Sequence, residues 1–374
     1  MITLKKTNIS LNEQRLNYPT LGQLIVLTTS LDGFSITEAI CYQKKLVISA
    51  KFYPQNKYDY KVIYVVIDLD KKNTHYYHES DGINPQFFVS PTGKYYVSID
   101  VYHPDKDLGI MLPLFDRENI TYPKPKRPIV GDFKGICHDF SIFHYVDLFS
   151  ETKPDKLIAV EFKNDDIKKT YTNKIPLPKH NKLFIDSLNN QIHLLACVDN
   201  GWLHRQIDEM GSDLQSRNIN IGKRFFLTCV LNLSFTYTSS ILGIDEKGKF
   251  YLINISPEGK IEQNLLFDME RLIYSIWEPI KVAAETFVIR FTDEIGNGWI
   301  TIQNNQVIEA FSQETVGCYI NLHTKEVFKL STKELIISEI VKTKDANYTV
   351  VFYGKEEDNH SKNKELIILN RNID

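Results

Sequence analysis

Several things are scarce or missing from this chain. Cysteine occurs five times in 374 residues, at 41, 137, 197, 229 and 318, with no CxxC or CxxCH spacing. An odd, scattered set excludes a disulfide framework and reads as buried free thiols in apolar runs such as LLACV and FLTCV, in a reducing compartment. No apolar stretch reaches the ~18–20 residues that span a bilayer. The first residues, MITLKKTNISLNEQRL, lack the ~7–15-residue apolar core of a secretory signal. The expectation is a soluble cytoplasmic protein without membrane association. Net charge is only −3, whereas a dedicated nucleic-acid binder carries a basic surplus to neutralise phosphates, so no nucleic-acid partner is expected. Methionine occurs four times and Ala-rich stretches are few, which weakens a helical reading. No Gly/Ser tract or charge block divides the chain into separate domains.

What is present is a repeat. Seven times an apolar run ends in a polar turn and the chain runs straight back, with turns near Lys71, Asn119, Asp165, Glu209, Glu258, Asn304 and Asp358. The segments include VIYVVIDLDKKNTHYY, LIAVEFKNDDIKKTY, KFYLINISPEGKIEQ and WITIQNNQVIEAF. Successive turns lie roughly 45 to 55 residues apart, the size of one four-stranded propeller blade. The 20 Tyr and 21 Phe suit half-buried strands, where flat and β-branched side chains pack well. A single core stops growing near ~250–300 residues, so a chain of this length without a linker favours a repeat architecture.

The fold class expected is therefore all-β: a seven-bladed β-propeller of four-stranded antiparallel blades spanning 1–374 as one domain, six or eight blades following if a unit is miscounted. Residues 1–31 are surplus to the seven units. ITLKKTNISL or LIVLTTS from this extension is expected to supply a ring-closing strand. CYINL or EVFKLS is expected to begin the last blade, and DFKGICHD to be a weak inner strand of the third. In Ser90-Pro91-Thr92-Gly93-Lys94, proline presets φ and glycine permits a positive φ between two aromatic-rich strands. This piece resembles the SPDGK-type inner hairpin of WD-repeat and prolyl-oligopeptidase-type propellers. The resemblance covers about a dozen residues and implies a propeller hairpin. Propellers of the second type accompany a hydrolase domain with a G-x-S-x-G elbow, which this chain lacks.

Catalytic chemistry leaves no local signature. Neither GxGxxG nor GxxxxGK[ST] occurs, and HExxH is missing. His75-Tyr76-Tyr77-His78-Glu79 offers two imidazoles and a carboxylate, but on a strand positions 75 and 78 point to opposite faces, so an exposed outer-strand cluster is expected. Cys137-His138-Asp139, followed by His144, could make an activated thiolate, but adjacent residues cannot form a relay without help from elsewhere in the fold. The basic, proline-rich Tyr122–Pro128 reads as a crossover between blades. No cofactor, metal ligand or catalytic residue is assigned.

Propeller function lives where loops converge on the central channel. Tyr58 and Tyr60 in the loop PQNKYDY, Asp105 in the next such loop, and Trp202 and Trp299 are the residues expected to contact a protein partner, since Tyr and Trp dominate interface hot spots. The function expected is a non-catalytic scaffold that binds another protein through loops on one face, in an adaptor or toxin-neutralising role. The alternatives are a lactonase- or glycosidase-type propeller enzyme with a site assembled across blades, and a carbohydrate-binding propeller.

Overall fold

The computed structural model describes strand backbone along most of the chain. Side chains are described at residues 14–17, 90–92, 131–145, 155–163, 168–172, 182–186, 188–198, 201–222, 225–315, 318–329, 340 and 350. Among the described residues the strands form seven antiparallel sheets. Blade one comprises Phe34–Tyr42, Lys45–Phe52, Lys61–Asp68 and Thr74–Glu79. Blade two has Gly82–Val89, Tyr95–Val101 and Leu108–Pro113. Blade three is Asp132–Cys137, Phe140–Tyr145, Lys156–Lys163 and Asp166–Thr172. Blade four is Asn181–Asp186, Gln191–Val198, Gly201–Ile207 and Asp213–Ile219. Blade five is Leu227–Asn232, Ser239–Ile244, Lys249–Ile255 and Ile261–Asp268.

Blade six opens with a split strand, Ile273–Ile276 and Ile280–Ala283, both paired with Thr286–Asp293. It continues through Asn297–Gln303 and Gln306–Thr315. Blade seven takes Glu334–Lys342, Tyr348–Lys355 and Lys364–Arg371 from the C-terminal part. First strands of successive blades adjoin from blade one to blade six, and Glu334–Lys342 lies against both blade six and Phe34–Tyr42, so the ring closes. The fold is a β-propeller.

Gly22–Thr29 pairs antiparallel with Lys364–Arg371, Leu24 opposite Leu369 and Leu27 opposite Leu366. Asn12–Tyr18 then adds outside it. Ile2–Asn8 goes elsewhere, pairing with Thr74–Glu79 on one side and Asn119–Tyr122 on the other. Three expectations are corrected here. The Asn119 segment does not fold back on Leu108–Pro113, because its backbone pairs with Ile2–Asn8. Thr74–Glu79, which carries the His75–Glu79 cluster, is flanked on both sides and is not an outer edge. Cys318–Asn321 and Val327–Lys329 extend blade six instead of opening blade seven, since Gln306–Thr315 offers them a free edge.

Burial follows blade position. In blade four Gly201–Ile207 is mostly buried while the polar outer strand Asp213–Ile219, DLQSRNI, is mostly exposed. Middle strands are sandwiched between neighbouring blades. Leu252 and Phe250 of blade five pack with Phe291 and Ile300 of blade six, and Trp202 and Ile219 of blade four pack with Ile241 and Ile253 of blade five. Each fully buried aliphatic or Phe side chain contributes about 1.5–3 kcal/mol. The Ser90–Thr92 segment sits in the turn that joins Gly82–Val89 to Tyr95–Val101, Val89 opposite Tyr95, with Ser90 buried. Among the four described cysteines Cys197 is exposed, contrary to the expected burial, because LLACV ends at the strand terminus. Among the described residues no helix is long and apolar enough to cross a membrane.

One polar chain runs through blade four, and its Arg217 end reaches blade five by donating to the Ser256, Pro257 and Ser234 carbonyl oxygens. Arg217 Nε donates to His204 Nδ1 at 3.2 Å, His204 Nε2 lies 3.0 Å from His193 Nδ1, and His193 Nε2 lies 3.2 Å from Gln191 Oε1. Because arginine can only donate, each imidazole is neutral and carries its proton on Nε2, from which it donates a hydrogen bond to the next acceptor. Phe235 stacks on His204 at 4.2 Å between ring centres, and the Arg217 guanidinium lies over Phe235.

Two hairpin glycines test the turn geometry. Gly248 and Gly259 close equivalent turns with φ of 78° and 85°, but a Cβ on Gly248 would meet the Arg271 carbonyl oxygen at 1.8 Å while one on Gly259 meets nothing within 4 Å. Gly248→Ala is expected to lower stability by about 2 kcal/mol more than Gly259→Ala in a urea melt. Equal losses would mean the turn relaxes freely.

Candidate functional site

The first strands of blades three to six enclose a cavity of about 330 Å³. Lys134 comes from Asp132–Cys137, Lys182 and Asp186 from Asn181–Asp186, and Thr228 from Leu227–Asn232. Blade six contributes Trp277, Glu278 and Pro279 from the break in its split first strand, which turns these side chains into the cavity instead of continuing the ladder. Among the described residues this is where side chains from four blades converge.

Lys134 Nζ lies 2.5 Å from Glu278 Oε1 and 3.8 Å from Asp132 Oδ2. Blades three and six are not neighbours in the ring, so this ion pair spans the central space. Asp186 accepts hydrogen bonds from Tyr237 Oη, from Asn189 Nδ2 at 2.8 Å and from the backbone N–H groups of Leu188 and Asn189. Burial works against its charge, but these donors outweigh it and hold the carboxyl below the usual carboxylate range. Tyr237 is pushed up by burial and by the Asp186 carboxylate beside it. Behind Lys134, His144 Nε2 faces Asp155 Oδ2 at 3.5 Å. Burial first, then the Lys134 charge, lowers the His144 pKa against the pull of Asp155.

Two exposed apolar side chains line the cavity: Leu188 is 83% exposed and Trp277 38% exposed, and Tyr237, bonded to Asp186, is also 38% exposed. The Arg290 guanidinium centres 4.0 Å over the Trp277 ring, which covers one face of a partly exposed indole, and the Trp277 backbone N–H donates to Arg290 O at 3.0 Å, which fixes the main chain beneath it.

The sequence-derived contact residues fare differently. Trp202 and Trp299 are buried, at 3% and 0% exposure, and pack within the blade interior. Tyr58, Tyr60 and Asp105 lie outside the described residues. Of the Cys137-His138-Asp139 group, Cys137 and His138 stay together, His144 departs to Asp155, and Glu209 from blade four takes the place proposed for Asp139. Burial, and then Glu209, push the Cys137 thiol up to about 12. Sequence reading missed Trp277, Leu188 and Glu278. The one available signal was Glu-Pro in IWEPI, which breaks a strand at the residue before proline.

No protein-family model and no curated protein matches the sequence. Solved structures do resemble it. The Pyrococcus horikoshii acylaminoacyl peptidase matches with a TM-score of 0.50 and 9% identity, over 87% of this chain and 51% of that one. The β-propeller domain of the Trilobed protease from Pyrococcus furiosus matches with a TM-score of 0.50 and 8% identity, over 88% of this chain and 95% of that domain. A prolyl endopeptidase matches with a TM-score of 0.50 and 10% identity, over 95% of this chain and 55% of that one. The chain thus spans about half the length of the peptidases it resembles. At these identities the likeness shows the propeller fold.

Proposed function

We propose that this chain is a non-catalytic β-propeller scaffold that binds another protein, with the cavity mouth between blades three and six as its contact site. The observation that carries the reading is the pair of exposed apolar side chains, Leu188 and Trp277, that line a polar cavity, with exposed Tyr237 bonded to the cavity's Asp186. Contiguous exposed apolar side chains around a recess mark contact sites, and Trp and Tyr supply most of the energy there. The charge lining narrows the partner. Asp186 and Glu278 are engaged by Tyr237 and Lys134, while Lys182 and Lys281 add positive charge to the same wall. The partner segment that fits carries an acidic side chain beside an apolar one. The setting is taken as the cytoplasm, where scattered thiols stay reduced.

The test combines affinity purification from native lysate with a photo-crosslinker at position 188. A stoichiometric partner should crosslink at 188 and bind Trp277→Ala at least about 30-fold more weakly, the loss of one ~2 kcal/mol hot spot. A partner that Trp277→Ala retains at wild-type affinity sinks this site. Recovery of the protein alone sinks the scaffold reading.

A further inference from the structure

We propose that Cys137, His138 and Glu209 form a site for one zinc-class divalent cation at the junction of blades three and four. Cys137 ends the first strand of blade three, His138 opens the two-residue turn that follows, and Glu209 sits in the turn after Gly201–Ile207 of blade four. The His138 N–H donates to Asn190 Oδ1 at 3.1 Å, so the turn of one blade is tied to a turn of the next.

The donor spacing is the main argument. Cys137 Sγ lies 3.5 Å from His138 Nδ1 and 3.7 Å from Glu209 Oε1, and His138 Nδ1 lies 2.7 Å from Glu209 Oε1. A tetrahedral ion with a Zn–S bond of ~2.3 Å and Zn–N and Zn–O bonds of ~2.0–2.1 Å sets S–N and S–O edges of about 3.5 Å and an N–O edge of about 3.3 Å. Two edges already have that length. The third opens by about 0.6 Å, as one hydrogen bond gives way to two coordinate bonds.

The donor set selects the ion. Thiolate with imidazole suits zinc or cobalt and rejects magnesium and calcium, which take oxygen donors. The Cys137 side is closed, with the residue 1% exposed, while the His138 side chain is 57% exposed, giving an entry path and a fourth position for water. His138 holds φ 50°, a conformation that glycine or asparagine adopts more readily. A nucleophile relay is the poorer account. Thiol and carboxylate both face Nδ1, whereas a relay needs one partner at each ring nitrogen. On binding, the thiol proton leaves to solvent and the cation links the two blades.

Cobalt titration of chelator-stripped protein tests this. The expected result is saturation at one equivalent with a thiolate-to-cobalt charge-transfer band that zinc bleaches. Cys137→Ser should remove the band, and His138→Ala and Glu209→Gln should each weaken binding roughly tenfold or more. Cys197→Ser, at an exposed thiol, should retain both. His138→Ala, at an exposed turn, keeps the test open if Cys137→Ser folds poorly. No band at one equivalent, or a band and affinity unchanged in both His138→Ala and Glu209→Gln, overturns the proposal.

Discussion

Trp299→Ala is expected to lower the unfolding free energy by about 3–5 kcal/mol, the loss typical of a large aromatic removed from a packed core. Its ring is fully buried, stacked on Phe311 at 4.5 Å between centres with 24° between planes, and Tyr319 follows at 6.1 Å. Tyr319 stacks in turn on Phe328. These rings come from Asn297–Gln303, Gln306–Thr315 and the two added strands of blade six, so the truncation loosens the whole outer half of that sheet. Trp277→Ala is the contrast. Its indole is partly exposed, and its contact with Arg290 contributes about 0.5–1 kcal/mol at such a site. Urea midpoints of the two variants should therefore separate widely. A Trp299→Ala protein within 1 kcal/mol of wild type would refute the packing role and restore the contact role that its sequence suggested.

Acid is expected to weaken the protein well before its carboxylates titrate. His193 and His204 are both fully buried. Burial, countered by Asp186 and reinforced by Arg217, lowers His193 to about 4. Burial, then His193 and Arg217, lower His204 to about 3. Both folded values lie below the unfolded value of ~6.5, so the unfolded chain takes up protons first as pH falls. The contribution is complete above about pH 7 and is lost progressively from 6.5 down towards 3–4. At pH 5 the deficit is about 2 kcal/mol per histidine, about 4 for the pair. Unfolding measured at pH 7.5 and at pH 5 should show that loss in the wild type. A His193→Gln/His204→Gln double variant, whose amides can accept and donate along the same chain, should lose far less. Equal losses in both proteins would remove the pair as the cause.

Trp202 and Trp299 show why the fold was more legible than its surface. Each opens an apolar strand just after a turn, and that position correctly marked a hairpin. A middle strand of a propeller is covered on both faces, so alternation with period two no longer separates inside from outside. The blade hairpins were legible because polar turns at Asp165, Glu209, Glu258 and Asn304 interrupt runs of β-formers. CYIN was misassigned for a related reason. A short apolar strand after a turn pairs with whichever edge is open, and the sequence does not record which sheet that is. The candidate sites were harder still. Lys134 meets Glu278 across the ring, and Glu209 reaches Cys137 from the next blade. Both contacts depend on the angle between blades, which no local spacing encodes. Cys137-His138 was visible as a pair, but its third donor looked like an ordinary turn residue.

On a ribosome, Gly22–Thr29 emerges while its partner Lys364–Arg371 is still roughly 340 residues from being made. At about 5–20 residues per second, that interval is on the order of 20–70 s. The waiting segment, GQLIVLTT, is rich in β-formers and carries no charge. During synthesis it is free to pair with the same segment on a neighbouring nascent chain of one message. Misassembly on the polysome is the failure this layout invites, and a factor that shields the early hairpin until termination would prevent it.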